Sequence, residues 1–521
     1  MSRAATLPGQ APGPSDARPA WPWVLAALAF AALVRWAVLA GFMGSDEVTY
    51  LSGAMGVLSG EWPHTDYIGA LRYGVNLPVA AFMALFGVSE WSALAWGALA
   101  SLGELLLVYL IAARLWGARV GLWAMLLLAV MPVHAHFATR LMADPPLSLC
   151  LGLAMWCLLR AESPQGRALD YLGAGLALGA CYWLKDAGLY VAGLMLVGYG
   201  LLNRRFHWRW AWLVLGVLVM VLGNMALMAW AQGDPLHLVH SGRNSVGRIV
   251  ESTSPWFYLK ALFVDLRHVG LLGWLALAGL VQLLRGRTAA ATDRLGQRLV
   301  LLWALGFVLI LSALPIRQNN YILLFAAPLA MLGGLWLASL GRGLACALFA
   351  LAALVGLLLA SLQQASLHAF TANSRAAVQL ADAQPQRQIY APTGAFRADQ
   401  YARMLGQVNP QRPPLRSLEQ LDHDLAAGRV ARAWVMRDPQ TQGWGAPEDG
   451  QWGGREACLN PLSLRVEPQP GRGLGRPVAR ALLALSGRLP ASVAALVQRQ
   501  LGVQPSRWYE VIPGCRVAPL A

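Results

Sequence analysis

The stretch WPWVLAALAFAALVRWAVLAGF, Trp21–Phe42, runs directly into MGSDEVTY, Met43–Tyr50, and this junction decides the fold. As a helix rising 1.5 Å per residue, the apolar part would extend about 33 Å, enough to cross the hydrocarbon core of a bilayer. It is too long for a secretory signal core and lacks a small-residue cleavage site, so it reads as an anchor. Only Arg35 interrupts it. A cation two turns below the end of a span costs at least ~2.5 kcal/mol on insertion scales and ordinarily faces the interior of a helix bundle. Glu104, in the next span, is its candidate partner.

Outward from the anchor the pattern repeats. Of 521 residues, 57% are hydrophobic and 13% charged, and the mean hydropathy is +0.48. Soluble domains carry roughly 25% charged residues, so an ordinary soluble enzyme is excluded. Further apolar runs occupy Ala93–Ala113, Val120–Phe137, Pro146–Leu159, Leu169–Trp183, Gly188–Leu202, Trp210–Trp230, Val269–Leu284, Leu299–Leu314, Tyr321–Leu340 and Leu344–Leu362, making eleven spans with the first. Leu77–Gly87 is too short to cross and reads as a helix lying at the interface. The formal charge of +15 is almost all Arg, with Lys185 and Lys260 the only lysines. It is scattered between apolar runs, which points to membrane lipids and lipid phosphates and away from nucleic acid.

Arg114, Arg119, Arg160, Arg167, Arg204, Arg205, Arg209, Arg285, Arg287, Arg294, Arg298 and Arg342 fall on one side of these spans, the side of the N-terminus. The positive-inside rule therefore predicts a cytoplasmic N-terminus. An odd number of spans then places everything after about Ser361 outside the inner membrane of a bacterial cell. The expected architecture is an α-helical polytopic membrane bundle of about eleven transmembrane helices plus interfacial helices, with a small C-terminal α/β extracytoplasmic domain. Its parts are a disordered cytoplasmic tail at 1–19, a transmembrane catalytic domain at 20–362, and a periplasmic domain at 363–521. In the last part Gln388–Ala391 and Ala431–Met436 read as buried strands, with helical patterns at Asp399–Leu405 and Ser417–Ala427. Pro477–Leu501 is amphipathic and suited to rest on the membrane or the bundle. Cys458 and Cys515 both fall in this part, where an oxidising compartment permits a disulfide.

The chemistry gathers in the outer loops. Asp46 or Glu47 has the character of a general base, since a hydroxyl attacking a sugar carbon must lose its proton to a group within hydrogen-bond reach. Interfacial solvation is the plain alternative. On a helix the two acids point about 100° apart, so one of them faces a substrate. In the second outer loop, Thr139-Arg140-Leu141-Met142-Ala143-Asp144-Pro145-Pro146, Asp144 suits a helix N-cap that also points into a site. His64, His134 and His136 with Asp144 are the residues a divalent metal ion would draw on. Their spacing matches no established metal motif, and interfacial packing is their ordinary role. Arg72, Lys185 and Arg317 stand at outer span ends. Each could simply snorkel, and Lys185 could pair with Asp186, yet a lipid-linked phosphate would need such cations.

These pieces, in their order over about Trp21–Leu340, resemble the GT-C superfamily of membrane glycosyltransferases, in the bacterial branch related to protein O-mannosyltransferases and the lipid A aminoarabinose transferase. They are Arg35 late in the first span, Asp46-Glu47 with Tyr50, Ala84–Glu90, Ala112–Gly117, the Arg140…Asp144 loop, Leu184-Lys185, and Arg317…Tyr321…Pro328. The resemblance implies an inverting transfer from a polyprenyl-phosphate-linked sugar donor to a glycan, lipid or protein acceptor. It implies Asp46 and Asp144 as the two loop acids. Relatives often carry Lys-Pro-Pro before the interfacial helix, where this chain has Val75-Asn76-Leu77-Pro78, and Arg72 is the cation that could substitute. On this reading Lys185, Arg72 and Arg317 hold the donor phosphate, and Tyr50, Tyr321 and Arg140 line the pocket. A phosphate acceptor would need no deprotonation, and the acid would then orient it. A transporter or flippase also needs many spans, but no inverted repeat and no matched pair of broken spans is present. A non-catalytic assembly protein on the same bundle is the third class.

Overall fold

The computed structural model describes residues 21–62, 64–65, 67–246, 254–286, 294–315, 317–430, 432–442, 447–469 and 471–517. The tail expected over Met1–Pro19 lies outside them. The first helices are α1 (Trp21–Ala37), α2 (Asp46–Ser59), α3 (Tyr73–Phe86), α4 (Glu90–Trp116), α5 (Ala118–Ala129), α6 (Pro132–Ala138), α7 (Asp144–Ala161), α8 (Ala168–Leu184), α9 (Asp186–Asn203) and α10 (Trp210–Gln232). Long helices follow at Leu272–Leu284, Arg294–Ala313, Leu323–Ser339 and Arg342–Phe370. Every apolar run read from the sequence falls on one of these. Among the described residues six helices are long and apolar enough to cross a membrane, or seven if α5 and α6 count as one span. α1, α8 and Leu272–Leu284 are apolar but shorter.

Two boundaries differ from the sequence reading. The run Val120–Phe137 is not one straight helix: α5 and α6 meet at 68°. Pro132 opens α6, and Met131 before it is extended at φ −66°, ψ 123°. Proline has no N–H to continue a helix and pushes its predecessor out of the helical region. At the other end, Arg342–Phe370 continues past Leu362 through Gln363, Gln364 and His368. These polar residues sit within a helix because other segments satisfy them. Gln364 Nε2 donates to Leu39 O at 2.7 Å, and its Oε1 accepts from Gly475 N at 2.7 Å.

Helices approach closely where they carry glycine. A Cβ on Gly175 of α8 would lie 2.0 Å from Leu213 O of α10, and one on Gly216 of α10 would lie 2.6 Å from Leu172 O of α8. Such small-residue contacts let backbones pack where lipid supplies no hydrophobic drive between helices. The opposite face of α10 exposes Leu215, Leu218, Leu222 and Trp230, as a lipid-facing helix does.

Beyond Thr371 the chain forms a mixed sheet of β1 (Gln388–Ala391), β2 (Arg416–Ser417), β3 (Ala433–Arg437), β4 (Leu459–Leu462) and β5 (Arg507–Val511), in the order β2-β1-β3-β5-β4. β1 runs parallel to β2 and β3, whereas β5 is antiparallel to β3 and β4. Helices Thr393–Met404 and Leu418–Ala426 make the crossovers that parallel strands require. The Cys458–Cys515 disulfide is formed, with Cα atoms 5.6 Å apart.

The sheet region is tied to the membrane bundle at the first loop. Arg397 Nη1 donates to Gly44 O at 3.0 Å, Phe42 meets the Tyr401 ring at 4.9 Å, and Arg472 Nη2 reaches both Glu90 oxygens at 2.8 Å.

Candidate active site

Asp46 and Glu47 open α2, and their helical offset sends them to different surroundings. Glu47 is fully buried. Its Oε1 accepts from Arg140 Nε at 2.8 Å and from Arg140 Nη2, and its Oε2 accepts from Ser45 N at 3.0 Å. The carboxylate grouped with Asp46 as a candidate base, and the Arg140 grouped with the pocket lining, are thus bound to each other. Together they clamp the start of α2 to the loop between α6 and α7. A buried carboxylate without such a partner would be costly, which is why one of the pair demands the other.

Asp46 remains partly open, with a side chain 29% exposed. Arg72 Nη1 lies 3.9 Å from its Oδ2, and the Tyr67 hydroxyl lies 3.4 Å from its Oδ1. Burial, and then the nearby Asp46 charge, raise the Tyr67 pKa, so its hydroxyl stays a donor toward the acid. Arg72 also donates to the buried Tyr50 hydroxyl, and its guanidinium lies 5.8 Å from the Tyr50 ring centre.

Asp144 is the first residue of α7, and it does not cap that helix; Ala143 holds the cap position. Its side chain turns to the neighbouring helices, where Oδ1 accepts from Lys185 Nζ at 2.7 Å and from Asn320 Nδ2 at 3.1 Å. Lys185 therefore pairs with Asp144 and not with the adjacent Asp186. Lys185 sits between α8 and α9, with Nζ 5.6 Å from the Tyr321 ring centre. Burial lowers its pKa, and Asp144 works against that shift. Asp144 Oδ2 is buried with no hydrogen-bond partner among the described residues, an atom a bound hydroxyl would satisfy. The two half-sites adjoin: a Cβ on Gly74, two residues past Arg72, would lie 2.9 Å from Trp183 O, two residues before Lys185, and Asp46 and Arg72 both act electrostatically on Lys185. Two acids and two cations from widely separated segments thus converge at one end of the bundle.

Other expected residues are placed differently. Arg317 Nε donates to Ser312 O at 2.9 Å, at the end of the preceding helix. Arg35 does not touch Glu104 directly. Its Nη2 lies 2.9 Å from His134 Nδ1, and His134 Nε2 lies 3.0 Å from Glu104 Oε2. That buried chain occupies His134, His136 packs on Phe137, and His64 is exposed. Among the described residues no group of three His, Cys, Asp or Glu gathers that could hold a metal ion, so the metal set considered from sequence does not form. Asn320 and Tyr67 were not singled out as site residues in the sequence. The only signal for Asn320 was its place beside Asn319 at a span mouth.

The family model for dolichyl-phosphate-mannose-protein mannosyltransferases matches residues 74–230. An undecaprenyl phosphate-α-4-amino-4-deoxy-L-arabinose arabinosyl transferase of Pseudomonas aeruginosa UCBPP-PA14 is 29% identical over 244 residues, 42% of this chain and 43% of that protein. Its counterpart in Pseudomonas fluorescens Pf-5 is 28% identical over 310 residues, 56% of this chain and 54% of that protein. The matches thus span about half the length of these curated relatives. Among solved structures, ArnT from Cupriavidus metallidurans bound to undecaprenyl phosphate superposes with a TM-score of 0.61 at 18% identity, covering 86% of this chain and 97% of that one. The Archaeoglobus fulgidus oligosaccharyltransferase tethered to an acceptor peptide gives 0.51 at 14% identity, covering 81% of this chain and 69% of that one. At such identities the likeness is one of fold. Sequence and fold together relate this chain to the GT-C membrane glycosyltransferases, on the side of the protein O-mannosyltransferases and the aminoarabinose transferases.

Proposed function

We propose that the protein is an inverting glycosyltransferase that moves a sugar from a polyprenyl-phosphate carrier to a glycan, lipid or protein acceptor at the outer face of the bacterial inner membrane. The observation that carries this reading is the meeting of Asp46, Arg72, Asp144 and Lys185 at one end of the bundle. Asp46, the accessible acid, takes the proton of the acceptor hydroxyl as its oxygen attacks the anomeric carbon. The bond from that carbon to the phosphate oxygen breaks, and the electron pair leaves with the polyprenyl phosphate. Arg72 and Lys185 hold that phosphate and offset its growing charge. Asp144 fixes Lys185 and offers its free oxygen to a sugar hydroxyl, beside Tyr50 and Tyr321. The match of two curated relatives named for undecaprenyl-phosphate sugars supports this donor class.

Eleven crossings with a cytoplasmic N-terminus would set this site at the periplasmic face, together with residues 363–521 as a separate extracytoplasmic domain. The disulfide in that region favours an oxidising compartment. The test is transfer of radiolabel from a panel of polyprenyl-phosphate sugars by the purified full-length protein. Release or transfer of label that depends on Asp46 is expected, and failure with every donor overturns the proposal.

A further inference from the structure

A cavity of about 410 Å³ lies at the seam between the bundle and the sheet region, apart from the acids described above. Its wall includes Phe42 and Tyr401, whose rings are 4.9 Å apart, together with Gln469, Arg375, Arg472 and Glu90. The volume falls in the range of small-ligand sites, which join aromatic walls to a few aimed polar groups. Tyr401 is only 5% exposed, and its hydroxyl has no hydrogen-bond partner among the described residues. A buried polar atom left unpaired in a cavity wall marks a place for a ligand.

Charge adds direction. Arg472 is matched by Glu90, and Asp382 on the rim is matched by Arg412. Arg375 donates from Nη2 to His368 O at 2.9 Å and from Nε to Thr371 O at 3.4 Å, but among the described residues no carboxylate pairs with it. Burial and Arg472 hold its pKa down at about 10, so it is still charged at neutral pH. Glu90, in the same wall, is bound to Arg472 and offsets Arg375 only at a distance, so the cavity keeps one cation without a direct carboxylate partner among the described residues, beside aromatic and amide groups. Phe42 lies four residues before Asp46, and four residues span at most about 14 Å.

We propose that this cavity is a binding site for a sugar carrying a phosphate or carboxylate group, and that it seats the acceptor of the transfer reaction. The acceptor role rests on the glycosyltransferase reading; the binding site does not. The anionic group pairs with Arg375, the sugar lies against Phe42 and Tyr401, and the Tyr401 hydroxyl donates to a sugar oxygen.

The test is saturation-transfer NMR and titration of the full-length protein in detergent with glucose 1-phosphate, methyl glucoside and inorganic phosphate. Glucose 1-phosphate should bind at least about tenfold more tightly than either of the others, since a charge-assisted pair and the sugar contacts act together. Tyr401→Phe should weaken it about fivefold to tenfold, with thermal stability unchanged or raised because an unpaired hydroxyl is removed. Arg375→Gln should weaken it further, although that variant also loses bonds at the end of Arg342–Phe370. Lys185→Ala, assayed below its own unfolding temperature, should leave this binding intact. Binding that survives Tyr401→Phe unchanged but is lost in Lys185→Ala belongs to the donor site and overturns the proposal, as does equal binding of the three probes. Intact probe binding with no transfer from any donor would sink the transferase reading and the acceptor role, and leave the binding site standing.

Discussion

Lys185 and Asp144, 41 residues apart in sequence, form a buried ion pair at 2.7 Å that joins the junction of α8 and α9 to the start of α7. Removing one member of such a pair leaves an uncompensated buried charge, at a cost of about 3–5 kcal/mol. Lys185→Ala should therefore weaken donor binding and lower thermal stability, whereas Asp144→Asn, which keeps an acceptor for Lys185, should lose less of each. Denaturation in detergent and titration with a polyprenyl phosphate measure the two effects. Equal donor affinity in wild type and Lys185→Ala would remove the lysine from the phosphate site.

Asp46→Asn should cut sugar transfer by about 10²–10⁴-fold while donor binding and stability stay near wild type. Its partly exposed side chain makes only long contacts to Arg72 and Tyr67, so little folding energy is at stake. Single-turnover transfer to a hydroxyl acceptor is the measurement. Full turnover would mean that Asp46 is not the base.

Glu47 should behave in the opposite way. Glu47→Leu strands Arg140 in a buried site and should destabilise the protein by about 3–5 kcal/mol. The double variant Glu47→Leu, Arg140→Leu should recover much of that loss. Thermal unfolding of the four proteins of this cycle gives the coupling, and a double variant no better than the single one would show that the pair does not clamp the loops.

Alkaline pH offers a separate handle on Lys185. Burial lowers its pKa below the ordinary 10.5, and only the protonated amine attracts a phosphate. Donor affinity should therefore decline on the alkaline side before an ordinary lysine would deprotonate, and Lys185→Arg should shift the decline upward. A binding profile identical in the two proteins would exclude Lys185 as its source.

Much of the bundle was legible because transmembrane segments announce themselves by length and apolarity alone. The bend at Pro132 was passed over, because the apolar run Val120–Phe137 continues unbroken across it although proline carries its effect locally. The continuation of Arg342–Phe370 was not, because Gln364 and His368 are satisfied by Leu39 and Ala40 from the other end of the chain. At the site, the helical offset between Asp46 and Glu47 showed that only one could face a substrate. That Glu47 is the one turned inward depended on Arg140, 93 residues away. Asp144 looked like a helix cap because prolines follow it, and only the arrival of Lys185 and Asn320 from two other segments shows where its side chain goes. β1 was read with its observed limits because four consecutive residues carry its pattern, whereas β5 offered little apolar run to notice.

β5 lies between β3 and β4, although it follows both of them in the chain. Between the end of β3 at Arg437 and the start of β5 at Arg507 lie 69 residues, about 3–14 s of synthesis at ordinary elongation rates. For that interval β3 presents a raw edge, and the cysteine at 458 waits for a partner not yet made. Assembly of the sheet is thus tied to the arrival of β5. A chain that stops before Arg507 would carry a helical bundle beside an unclosed sheet, with the edges of β3 and β4 left open.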